Sequence, residues 1–226
     1  MRQPNVVQSH LRYPLNSFLG TPVAVRALRE LFAFGDPLSP VTIAERAQVT
    51  PHGVRKALRT LVTAKIVEPV GQGRSVSYRI RESHPLASVL ASLFEAESEA
   101  ADAVFSRLRD AAKRLDPEPL ALWIYGSVAR GDDTPESEVE VILIAPGEDG
   151  EALAYTFHDE VKEIAREYGL TISIIGLSPA ELIRYSGNEA WWEGVTDSAL
   201  PLIGPDPTEL PELIPSLVPE ELLQPV

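Results

Sequence analysis

The sequence predicts an α+β chain of two domains joined by a long helix, and three observations carry that reading. The first is charge. Residues 1–84 hold 12 Lys and Arg against 5 Asp and Glu, a net of +7, whereas residues 85–226 hold 8 against 28, a net of −20, for −13 overall. The second is periodicity: apolar residues recur at helical spacing up to Val62, then at the spacing of a hairpin, then along a helical run from Leu86 to about Leu115. The third is the alternation of short apolar runs with amphipathic ones from Leu120 onward, the pattern of a sheet with helices packed on it.

Composition removes several function classes. There is no cysteine, which excludes disulfides, thiolate metal sites and cysteine nucleophiles, and the 4 histidines lack zinc-ligand spacing, so neither zinc nor haem is expected. No stretch reaches the ~18–20 apolar residues of a membrane span. The polar, proline-containing start has no secretion-signal character, and the expected location is the cytoplasm, with no membrane partner.

Residues 1–20 read as an N-terminal arm with an apolar patch at Phe18 and Leu19. Thr21-Pro22 then reads as a helix cap with proline at the first helical position. Val23, Val25, Leu28, Leu31 and Phe32 line one face of that helix, and Gly35, Asp36 and Pro37 end it. Thr42-Ile43-Ala44-Glu45 fits a capping box opening a short second helix. Thr50-Pro51 opens a third, whose faces separate cleanly: Val54, Leu58, Leu61 and Val62 on one side, His52, Arg55, Lys56 and Arg59 on the other. Two short helices with a tight turn, the second carrying cations outward, describe a helix-turn-helix. Ile66–Val70 and Ser75–Ile80 then form two strands about a turn that carries Arg74, with Val76, Tyr78 and Ile80 facing inward.

From Thr21 to Arg81 this order resembles the winged helix-turn-helix domains of bacterial transcriptional regulators. The resemblance implies that the Thr50 helix enters the major groove of double-stranded DNA. Thr50, His52, Arg55, Lys56 and Arg59 would contact bases and phosphates, and Arg74 on the wing would reach the backbone or minor groove. Domain limits follow at 21–84 for this module, 85–116 for the long helix, 117–205 for the second domain and 206–226 for a proline-rich acidic tail. The long helix is expected to pair with its counterpart in a homodimer, as regulators of this kind bind two-fold-related half-sites.

The stretch Leu120–Ile144 organises the second domain. An apolar strand ends in Tyr125, turns through Gly126 and Ser127, and after a polar segment gives way to a second strand that opens with Glu138 and Glu140. Alternation places those two carboxylates on one face. A tight turn beside paired carboxylates suits a phosphate chain and a divalent metal. Gly126, Ser127, Ala129, Arg130 and Gly131, with Ser137 before the second strand, resemble the signature of the nucleotidyltransferase superfamily, in particular its minimal domains. The resemblance implies Mg²⁺ and a nucleoside triphosphate as cofactors, with Gly126, Ser127 and Arg130 toward the nucleotide and Glu138 and Glu140 toward the metal. It also admits pairing with a separate toxin, since small domains of this type occur in such systems.

Two departures bear on activity. The family places aspartates where Glu138 and Glu140 stand, and a third carboxylate on the neighbouring strand, where this chain offers only Thr171 and Ser173. Each glutamate is one methylene longer, and a misplacement of ~1 Å at a reacting centre costs about 100-fold in rate. The favoured reading is therefore a sequence-specific DNA-binding transcriptional regulator whose second domain is degenerate and serves as a nucleotide sensor or dimer platform. The alternative is an active Mg²⁺-dependent nucleotidyltransferase acting on a protein, RNA or small molecule, with Glu138 and Glu140 catalytic. Trp191 and Trp192 are expected in the core rather than against a base, and the sequence from Pro201 as an extended tail draped over the domain, or disordered.

Overall fold

The computed structural model describes residues 9–73, 76–187 and 189–223, so Arg74 of the sequence reading lies outside the described residues. The chain divides into two compact units, Met1–Glu99 and Ala100–Val226, and both contain helices and a sheet. The molecule is thus α+β.

The first unit comprises α1 (Leu15–Phe18), α2 (Pro22–Phe34), α3 (Pro40–Arg46), α4 (Pro51–Thr63), β1 (Val67–Val70) and β2 (Ser77–Ile80). It also takes the first half of α5 (Ala87–Ala112). Three of its helices open the same way, with a hydroxyl residue followed by proline. Thr21, Ser39 and Thr50 accept hydrogen bonds from the amides of Ala24, Thr42 and Gly53 at 3.2, 3.1 and 3.1 Å. Proline in the first turn costs nothing there, because its missing N–H would have had no helical partner. This corrects the expected start of α3: Ser39 is its cap, and Thr42 stands inside the first turn rather than opening a capping box.

Phe18, Leu28, Ile43, Val54, Leu58, Leu61 and Ile66 are all at most 1 % exposed and form one core with Leu90 and Phe94 of α5. Each contributes about 1.5–3 kcal/mol by leaving water. Phe18 belongs fully to this core, so residues 15–18 are a packed helical turn and not part of a loose arm. The hairpin pairs Val67 with Ile80 and Val70 with Ser77. Leu38 adds a bridge that the sequence did not reveal, exchanging backbone hydrogen bonds of 2.9 and 2.8 Å with Tyr78.

The second unit takes the rest of α5, then β3 (Ala121–Tyr125), α6 (Gly126–Arg130), β4 (Val139–Ile144), α7 (Gly150–Tyr168) and β5 (Ile172–Leu177). It continues with α8 (Pro179–Ser186), α9 (Glu189–Thr196), β6 (Leu200–Ile203) and α10 (Leu210–Leu217). The sheet order is β5-β4-β3-β6, with β4 and β5 parallel and the other neighbours antiparallel. Strand alternation splits its core in two. Leu122, Ile124, Val141 and Leu143 pack with Leu108 of α5 and Phe157 of α7 on one face. Trp123, Ile142, Ile144 and Leu177 pack with Leu182, Leu210 and Ile214 on the other. The unit is therefore three layers, helix–sheet–helix.

Two expectations change here. The segment from Pro201 is no draped tail: it supplies the edge strand β6 and then α10, which buries Leu210 and Ile214 completely and Val218 nearly so. Those residues recur every fourth position, a helical stripe that the prolines masked. Pro211 lies in the first turn of α10, where it is tolerated, and only Pro215 removes an interior amide. The domain limit at residue 205 therefore falls inside the packed unit. Trp191 and Trp192 do join the core, in an aromatic chain running Trp123–Trp192–Trp191–Tyr185 with ring centroids 6.2, 5.9 and 5.5 Å apart.

Candidate functional site

Two clusters of chemistry-bearing residues stand out, one in each unit. In the first, α4 turns Val54, Ala57, Leu58 and Leu61 into the core, and the 3.6-residue repeat then forces His52, Arg55, Lys56 and Arg59 outward, all exposed. Among the described residues none of these four has an ion-pair partner. Several cations elsewhere in the unit are held by carboxylates, whereas Arg12, Arg26 and Lys65 also lack an ion-pair partner among the described residues. Arg29 forks onto Glu97 at 2.7 and 2.8 Å, Arg46 meets Glu30 at 2.8 Å, and Arg79 meets Glu68 at 2.8 Å. Arg81 Nε lies 3.4 Å from the same Glu68 carboxylate but is not aligned to hydrogen-bond to it.

The α4 face is not uniform. Lys56 lines a groove with Asn16, Ser17, Gly20 and Thr21, and Arg59 lines a second with His10, Ser17 and Thr63. His52 and Arg55 line neither. Lys56 and Arg59 thus share hollows with the segment before α2, whose contribution no sequence motif announced. Thr50 is committed to capping α4, so its hydroxyl oxygen already accepts one hydrogen bond.

The second cluster sits where β3 ends and β4 begins. Gly126 has φ +74°, and a Cβ there would overlap the carboxylate of Glu140. The positive φ favours glycine at this position, and any Cβ would also oblige the Glu140 carboxylate to move aside. The Gly126 amide donates to Ser198 Oγ at 3.3 Å, a contact from beyond α9 that the sequence did not signal. Across the sheet, Glu140 stands opposite Tyr125 on β3 and Ser173 on β5. The Tyr125 hydroxyl is pushed above its ordinary value of 10.0, first by burial and then by the charge of Glu140. Glu138 just precedes β4 and is exposed, while Glu140 is half-buried.

The register thus places Ser173 in the position on β5 that neighbours Glu140. Among the described residues no three His, Cys, Asp or Glu side chains come together as a metal site. Arg130 forks onto Asp132 at 3.2 and 3.3 Å, and Ser137 accepts from the Thr134 amide at 3.0 Å, closing the loop. The signature residues are therefore clustered, but Arg130 and Ser137 are engaged locally. Glu140 thus has a hydroxyl rather than a carboxylate beside it on β5, and the exposed Glu138 is the other carboxylate expected at this turn.

No helix among the described residues is long and apolar enough to cross a membrane. No family model matches the chain, and no curated protein matches it. Two solved structures show limited similarity. One is a mutant form of the toxin-antitoxin pair MntA-HpeT, at 17% identity over 50% of this chain and 79% of that one, with a TM-score of 0.34. The other is human N-acetylserotonin methyltransferase in complex with SAM, at 13% identity over 75% of this chain and 60% of that one, with a TM-score of 0.23. At such scores neither assigns a fold or an activity to this chain.

Proposed function

We propose that this chain is a sequence-specific DNA-binding regulator. On this reading the first unit is a winged helix-turn-helix that binds double-stranded DNA. The second is a nucleotidyltransferase-like domain retained as a nucleotide sensor or dimer platform rather than as a catalyst. The observation that carries the reading is the α4 face: His52, Arg55, Lys56 and Arg59 stand together on one helical face, exposed and without ion-pair partners among the described residues, whereas Arg29, Arg46 and Arg79 are held by carboxylates. Free cations on one helical face release counterions when they meet phosphates, which drives binding to DNA.

Loss of catalysis is supported by the register that sets Ser173 beside Glu140, since metal-assisted phosphoryl transfer depends on carboxylates to hold the ions. The alternative, an active nucleotidyltransferase with Glu138 and Glu140 as metal ligands, draws on the glycine turn that holds Gly126 against Glu140.

The deciding experiment is selection of bound sequences from a random duplex pool by the full-length protein, followed by anisotropy on the enriched site with and without ATP and Mg²⁺. Enrichment of one motif, weakened by salt, supports the regulator. A pool that stays unselected, together with pyrophosphate release from any nucleoside triphosphate, would transfer the case to the enzyme.

A further inference from the structure

A groove of roughly 790 Å³ runs between α2 and the first half of α5, within the first unit. Its size suits a small organic ligand. The floor is apolar and aromatic: Phe94 is only 8 % exposed, and the Phe32 ring lies 5.6 Å from it. The rim carries four carboxylates (Glu30, Glu95, Glu97 and Glu99) and two guanidinium groups, Arg29 and Arg46, a net of −2. Both guanidinium groups are engaged, Arg29 by Glu97 and Arg46 by Glu30. Glu95 and Glu99 remain, exposed, one helical turn apart on α5, and without an ion-pair partner among the described residues.

The groove already displays its preference on an internal group. The Arg29 guanidinium sits 5.8 Å from the centroid of the Phe94 ring while Glu97 holds its nitrogens. A ring face flanked by carboxylates attracts a cation and rejects an anion. The half-buried Phe32 ring and the two free carboxylates offer the same pairing to a ligand from outside.

We propose that this groove is a binding site for a small organic monocation with an apolar body, the body resting on the half-buried Phe32 ring and the charge held by Glu95 and Glu99. The site is built from residues other than the α4 cations and the Gly126–Glu140 cluster, so it stands whether or not either of those functions as proposed.

The test is calorimetric titration of the full-length protein with benzyltrimethylammonium, with benzyl alcohol as the neutral comparison. The cation should bind with a Kd of about 1 mM or tighter, and the alcohol at least about tenfold more weakly. E95Q/E99Q, which changes only exposed side chains, should weaken the cation about tenfold while leaving the thermal melt unchanged. Equal binding of both probes, undiminished binding by E95Q/E99Q, or no heat with the cation would overturn the proposal. Sedimentation of the same two proteins covers another occupant: a self-association that disappears in E95Q/E99Q would assign the groove to a second copy of the chain and defeat the small-cation reading.

Discussion

The α4 face and the Gly126–Glu140 cluster carry the chemistry of their respective units, yet they are built by different means. On α4 one helix does everything: the 3.6-residue repeat that buries Val54, Leu58 and Leu61 also presents Arg55, Lys56 and Arg59. At the second cluster four separate segments must converge, namely the end of β3, the start of β4, β5 and the residues after α9. A site made by one helix survives loss of any single side chain with graded effect. A site made by strand register depends on each position being what its neighbours require.

The largest contrast should come from DNA affinity. R55A/K56A/R59A should weaken duplex binding about 100-fold near 0.1 M salt and flatten the slope of log K against log salt by about 2–3. R79A removes a cation already held by Glu68 and should weaken binding less than about threefold. Anisotropy titrations at several salt concentrations measure both. If the two variants lose affinity equally, freedom from a carboxylate partner is not what marks the face proposed to bind DNA.

Next in size is the turn. G126A forces a side chain into left-handed backbone and against the Glu140 carboxylate, and should cost about 2–3 kcal/mol in urea unfolding. G126A/E140A should recover part of that loss, leaving the backbone strain of about 1–2 kcal/mol. A double variant no more stable than the single one would mean that the carboxylate does not press on residue 126.

S173D then sharpens the argument about catalysis. It sets a third carboxylate beside Glu140, so without metal it should lower stability by about 1 kcal/mol through like charges on adjacent strands. Mg²⁺ should reverse that loss in S173D and leave the natural protein unaffected, as read by thermal melts across a Mg²⁺ series. Equal Mg²⁺ stabilisation of both proteins would show that Glu138 and Glu140 suffice to hold the ion.

The smallest effect concerns the ion pair at the groove. The hydrogen bond from Arg29 holds the Glu97 carboxyl below its ordinary value of 4.5, with burial opposing. A depressed carboxyl contributes stability above its unfolded pKa and loses it as pH falls through the folded one. E97Q should therefore be less stable than the natural protein at pH 7, by under about 1 kcal/mol because the pair is half exposed. The difference should begin to shrink as pH falls below 4.5 and vanish once pH is below the lowered folded value. A gap that stays constant as pH falls through that range would assign the effect to packing rather than charge.

How much of this was legible depended on the range of the interactions. The cationic face of α4, the hairpin after it, the long helix and the turn at Gly126 all follow from spacings within about ten residues. The start of α3 was misplaced because Thr42 and Glu45 also satisfy a capping pattern, while Ser39-Pro40 wins by supplying both the cap and the first-turn proline. The stripe Leu210, Ile214, Val218 was obscured by six prolines from residue 201 to residue 219, which read as an extended chain until β6 is seen pairing with β3. Nothing local pointed to Ser198 at the Gly126 amide, to Leu38 at the hairpin, or to the groove between α2 and α5.

By itself, then, the sequence determined which residues turn inward and outward on elements such as α4, because that period is a property of the backbone geometry. It also determined that a basic third is followed by an acidic remainder. Only the tertiary structure decided which strand lies beside which, and hence that Ser173 neighbours Glu140. It alone decided which arginines are neutralised and which are left free. Pairing of that kind is a matter of distance between segments remote in the chain, and no local spacing encodes it.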